Sequence, residues 1–203
     1  MRIMTSTSVI AEPAFPNYLY TGKLELSQIH IDSILDEINS LRLYQYNWGK
    51  SGWNNDINEP FNFNHVPNIK RVTPLIIRAL HGGLVNQNGW AADDRFFETN
   101  SGRYYLDCRR TYPVILYPHH DMPLNKAAYY SGITILKCSE KSHRPYIQCT
   151  DHGVLHVDPI KCWYPEVNQQ IFVPGNLHWG ISSGNDDTPT VALISHIFRN
   201  KVH

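Results

Sequence analysis

The stretch "YPHHDMP" at 117–123 places His119, His120 and Asp121 side by side. Two imidazoles and one carboxylate on one face are the donor set that holds a redox-active iron and leaves positions open for substrate and oxygen. Side chains two apart share a face of a strand, so His119 and Asp121 point one way and His120 the other. A third ligand must come from another strand, and His178 in "QQIFVPGNLHWGIS" is the candidate. There "IFVPG" reads as a strand and turn, and "LHWGIS" restarts the chain alongside. A rival pair is His156 and Asp158 in "LHVDP". Its separation from His178 is tight for intervening strands, and using His196 instead leaves too little chain for a strand to follow. Each residue also has a plain structural reading. Pro118 and Pro123 bracket a polar turn, and His178 beside Trp179 reads as a core histidine. The joint pattern favours the metal set.

The elements that must position these residues change in kind along the chain. Residues 26–42, "LSQIHIDSILDEINSLR", carry Ile31, Ile34, Leu35, Ile38 and Leu41 at helical spacing, with Ser27 as a cap. A short strand precedes them around Tyr18 to Leu24. The segment "YNWGKSGWNNDINEPFNFNHVPN" reads as a long surface loop. Its aromatic residues Trp48, Trp53, Phe61 and Phe63 form either a packed cluster or a lid. "IKRVTPLIIRALHGGL" predicts a second helix, with Pro74 near its start and Gly82-Gly83 ending it. From about Gly102 onward the runs become strand-like: "RYYLDCR", "TYPVILYP", "AYYSGITILKC", "PYIQCT", "GVLHVDP", "QQIFVPG", "LHWGIS" and "TVALISHIF". The expected fold is mainly β with N-terminal helices, a sandwich or jelly roll. Residues 1–203 read as one domain, with strand, helices and loop in 1–100 and a β core in 101–203.

Composition narrows the function classes. Lys+Arg and Asp+Glu are equal at 18 each, so the chain has no electrostatic footprint for nucleic acid and no polybasic patch for a membrane. No apolar run approaches a membrane span. Cys108, Cys138, Cys149 and Cys162 form no CxxC pair, and the N-terminal stretch lacks an apolar signal core. Free thiols in a cytoplasmic protein are expected. The partner is a small-molecule or peptidyl substrate; neither the substrate nor the oligomeric state is legible.

The HxD pair, the "VPGNLHWG" passage, the "AYYSGITILKC" run and the preceding strand and helix resemble the 2-oxoglutarate/Fe(II)-dependent oxygenases, especially the prolyl 4-hydroxylase-like branch. The resemblance covers most of the chain in layout and about 25 residues in motif. It implies a double-stranded β-helix (jelly roll), an Fe(II) ion at His119, Asp121 and His178, 2-oxoglutarate as cosubstrate, and a hydroxylase reaction. The family's eighth strand usually carries an Arg or Lys for the far carboxylate of 2-oxoglutarate. Here those positions are Thr188, Pro189 and Thr190. A buried carboxylate needs a partner. The candidates are Lys137, Arg110, His196 and Arg199, with Tyr129 or Tyr130 adding a hydroxyl. His196 alternates in phase with Thr190, Ala192 and Ile194. The missing basic residue keeps two other classes in play: a cupin-like metal enzyme that does not use 2-oxoglutarate, and a non-enzymatic jelly-roll binding module.

Overall fold

The computed structural model describes residues 9–14, 17–40, 66–116, 120–122, 128–138, 147–150, 161–175, 177–181 and 190–203. The aromatic loop, the run "GVLHVDP" with His156 and Asp158, and His119 lie outside them.

Two strands open the described chain, β1 (Val9–Ala14) and β2 (Asn17–Lys23), followed by α1 (Gln28–Ser40) and α2 (Pro67–Asn88). Then come β3 (Phe96–Thr99), β4 (Gly102–Leu116), β5 (His120–Met122), β6 (Tyr130–Lys137) and β7 (Ile147–Thr150). The last strands are β8 (Lys161–Trp163), β9 (Gln169–Pro174), β10 (His178–Ile181) and β11 (Thr190–Lys201). No helix among the described residues is long and apolar enough to cross a membrane.

Helix α1 begins where the sequence places it. The Ser27 side-chain oxygen accepts from the His30 backbone N–H at 3.4 Å, capping the third helical residue. Ile31, Ile34 and Ile38 are buried on one stripe. The Glu37 carboxylate of α1 accepts from the Asn68 backbone N–H at 3.0 Å, so one helix caps the open N-terminus of the next.

Helix α2 corrects the sequence reading. It starts at Pro67, where a missing N–H costs nothing, so Pro74 lies in its interior. Nor do Gly82 and Gly83 end it. The stop is Gly89, left-handed at φ 63°. The physical reason is packing: a Cβ on Gly83 would lie 2.5 Å from Val9 and 2.8 Å from Tyr20. Gly83 is the bare spot through which α2 approaches the sheet, and the buried stripe Ile69, Val72, Ile76, Leu80 and Leu84 carries the helix through both glycines.

All the strand pairs are antiparallel, forming a seven-stranded sheet, β1-β2-β9-β6-β11-β4-β3, and a four-stranded sheet, β5-β10-β7-β8. The runs "RYYLDCR" and "TYPVILYP", read as two strands, are one long strand, β4. Its register on β11 shifts between His196 and Ile197, which leaves Arg109 as the extra residue of a bulge. The eight strands from β4 onward pair in a nested way. β4 lies against β11, β5 against β10, β6 against β9 and β7 against β8. The pairs β6·β11 and β7·β10 join these ribbons side by side. The result is mainly β, two antiparallel sheets and two helices, an arrangement compatible with a jelly roll.

Both faces of the central strands are buried, and alternation assigns each face a cover. Tyr20, Phe172, Gly132 and Ser195 are successive partners across the seven-stranded sheet. This face meets α2, through Gly83 on Tyr20 and through His81 against Phe97 at 5.8 Å. Ile171, Ile133, Ile194 and Tyr112 are successive partners of the opposite parity and are equally buried. The layer left for that second face is the four-stranded sheet, whose Trp163 joins the same buried cluster. We call this second face the inner face.

Candidate functional site

The sequence places the candidate ligands Asp121 and His178 on two strands, and the fold makes those strands neighbours. β5 carries Asp121 and β10 carries His178. Asp121 is the Cα partner of Gly180, and His178 stands two residues from Gly180 on the same strand. Cross-strand partners and residues two apart share a face, so Asp121 and His178 hold register positions of one parity. His120, the neighbour of Asp121, has the opposite parity and pairs with Ile181. Among the described residues no group of three His, Cys, Asp or Glu side chains could hold a metal.

The cosubstrate candidates separate sharply. Arg110 and His196 are brought together: they are Cα partners on β4 and β11, on the inner face. His196 is buried, and its Nε2 lies 3.0 Å from the Tyr112 hydroxyl, with the two rings stacked at 5.5 Å between centroids. Burial, and then the Arg110 charge, push its pKa from 6.5 down to about 4, so His196 is neutral at neutral pH. Burial raises the Tyr112 phenol well above its ordinary value, so it stays protonated. Ser131 on β6, the partner of His196 from the other side, is buried too. Arg110, Tyr112, Ser131 and His196 thus bring a guanidinium, two hydroxyls and a neutral imidazole to one stretch of the inner face. Such donors suit an anion, a carboxylate above all.

The other candidates stand elsewhere. Arg199 is three residues past His196, which puts it on the opposite, helix-covered face. Its guanidinium packs on the rings of Tyr104 and Tyr129, each at 4.8 Å. Tyr130 faces the helices as well, edge-on to Tyr20 at 5.7 Å, and its hydroxyl donates to the Tyr18 carbonyl at 3.0 Å. Tyr129 packs with Tyr130 and Arg199 on that side. Lys137 is exposed at the end of β6, opposite Val191. The sequence groups these residues with His196 as cations and hydroxyl donors, but strand parity separates them.

No family model matches the chain, and no curated protein matches it. Among solved structures, it is similar to the viral collagen prolyl hydroxylase vCPH of Paramecium Bursaria Chlorella virus-1, solved as a 2OG complex. That likeness has 13% identity and a TM-score of 0.45, and covers 92% of this chain and 98% of that one. It is also similar to a Pseudomonas putida prolyl-4-hydroxylase at 9% identity and a TM-score of 0.45, over 91% of this chain and 93% of that one.

Sequence reasoning missed Tyr112 and Ser131. For Tyr112 a signal was available: in "RRTYPV" it stands two residues from Arg110, in phase with it along an extended run. Ser131 gave none, because its membership depends on the register between β6 and β11.

Proposed function

We propose that this chain is a double-stranded β-helix and a non-haem Fe(II)- and 2-oxoglutarate-dependent oxygenase, a hydroxylase of a peptidyl, amino-acid or small-metabolite substrate. The single observation that carries the reading is nested strand pairing that sets the β5 and β10 backbones side by side, with Asp121 and His178 in matching parity. His119, Asp121 and His178 would hold the iron. Iron(II) with 2-oxoglutarate and oxygen supplies the oxidising chemistry that hydroxylates an unactivated C–H bond.

The chain's own groups bind and orient. Arg110, with Tyr112, Ser131 and His196, would take the far carboxylate of the cosubstrate in place of the basic residue that the eighth strand lacks. A neutral His196 donates a hydrogen bond without needing a counter-charge, and Arg110 supplies the charge. The buried inner face excludes water, which strengthens each of these bonds.

The second reading, a cupin-like metal enzyme that does not use 2-oxoglutarate, draws on one observation: the buried run of β11 from Thr190 to Ile197 holds neither Lys nor Arg. Anaerobic Fe(II) titration separates the readings. The proposal expects one iron per chain, a weak visible charge-transfer band on adding 2-oxoglutarate, and loss of iron in Asp121→Ala and in His178→Ala. Iron binding without the band favours the second reading. No iron binding, with both variants unchanged, refutes both and leaves a binding module.

A further inference from the structure

The two helices carry opposite charge. α1 holds Asp32, Asp36 and Glu37 and neither Lys nor Arg. α2 holds Lys70, Arg71 and Arg78 and neither Asp nor Glu. The charges are sorted by face as well. Ile29, Asp32 and Asp36 recur at helical spacing on the exposed side of α1, away from the buried Ile31, Ile34 and Ile38, and Glu25 just ahead of the helix is exposed too. On α2, Lys70, Pro74 and Arg78 repeat every four residues with Arg71 beside them, all exposed and away from the buried stripe. Glu25, Asp36, Lys70, Arg71 and Arg78 take part in no ion pair among the described residues.

The helices run antiparallel, side by side. The Asn68 side chain donates to the Ser33 carbonyl at 3.4 Å, and Leu26 and Ile34 line one cleft with Val72 and Leu75. Asp32 therefore stands level with Lys70 and Arg71, and Glu25 with the turn from Leu75 to Arg78. We propose that this outer face is a dimer surface, and that its occupant is the same face of a second copy of the chain. A twofold axis parallel to the helices and between them lays α1 of each copy on α2 of the other and keeps those levels. Each acidic ridge then meets a basic one, twice by symmetry, with Ile29, 72% exposed, and Pro74 midway along. A partner of one sign would satisfy one ridge and be repelled by the other, whereas a second copy satisfies both. The segment 41–65 between the helices carries only Arg42, Lys50, Asp56 and Glu59, too few charges to neutralise the six of the ridges. α1 is 13 residues long. Two helices of that length offer about 400 Å² per copy, the size of a weak contact that depends on its charges. α2 covers the sheet face opposite the inner face, so pairing leaves both candidate sites turned outward.

Sedimentation equilibrium of the full chain tests this. At about 0.1 mM protein and about 50 mM salt the dimer is expected, and at about 0.5 M salt its dissociation constant should rise about tenfold or more, because screening shortens to a few ångströms. Asp32→Lys with Asp36→Lys in one variant, and Arg71→Glu with Arg78→Glu in another, should each give monomers with an unchanged circular dichroism spectrum. The first variant carries mainly basic charge on both helices and the second mainly acidic charge, so an equimolar mixture should pair again. A wild type that stays monomeric at low salt overturns the inference, and so does a dimer that survives both reversals. A mixture that stays monomeric overturns it as well, and leaves the ridges to a different partner or to segment 41–65.

Discussion

His196 gives the fold a pH dependence that can be worked out from its surroundings. In the unfolded chain its pKa is near 6.5, and in the fold it is pushed down to about 4. The folded pKa is the lower one, so between these values the unfolded chain binds the proton and the folded chain does not. Stability then falls as pH drops through this window. The contribution is fully present above about pH 7, and at about pH 5 roughly 2 kcal/mol has been lost, from the ratio of the two protonation equilibria. That is a large part of an ordinary domain's stability of about 5–15 kcal/mol. With a urea slope of about 2–3 kcal/mol per molar, the midpoint should drop by about 0.7–1 M. Carboxylates and other histidines titrate in the same range, so the informative quantity is the difference between wild type and His196→Gln. Urea denaturation at pH 8 and pH 5 measures it. The wild type should lose about 2 kcal/mol more than the variant between the two pH values. Parallel losses would show that His196 is protonated in the folded chain, and would remove the argument that burial and Arg110 keep it neutral.

Two further predictions concern the scaffold. Gly83→Ala should cost about 1–3 kcal/mol in urea denaturation, because the new methyl meets Val9 and Tyr20, whereas Gly82→Ala, with nothing within 4 Å, should stabilise α2 by about 0.5–1 kcal/mol. Equal effects at the two positions would refute the close approach of α2 to the sheet. Thr134 donates to the Gln170 side-chain carbonyl at 2.6 Å inside the core, and the Gln170 amide nitrogen has no partner among the described residues. Thr134→Val alone should therefore cost about 1–3 kcal/mol by stranding a second polar atom, while Thr134→Val with Gln170→Leu should be nearly neutral in thermal melts. A double variant as unstable as the single one would contradict this.

Local pattern carried much of this fold. Helical spacing marked the face of α1 that buries Ile31, Ile34 and Ile38, and Ser27 announced its start. The β texture of the second half is a property of short segments. It was legible because neighbouring residues alone set it. The end of α2 was not legible: a glycine pair reads as a stop unless it is known that Tyr20 and Val9 need the space.

What the sequence determined by itself was which residue types were available: an HxD pair, a later histidine, a β core, and a last strand without Arg or Lys in its buried run. Tertiary structure decided which of them stand together. Strand pairing set β5 beside β10, and sheet parity put Arg110 and His196 on the inner face. The same parity turned Arg199 and Tyr130 toward the helices. The physical reason is that a strand residue's face depends on register, and one bulge or one residue of offset reverses it. Register is fixed by partners distant in the chain, so Tyr112 and Ser131 joined the site only when the sheet was assembled.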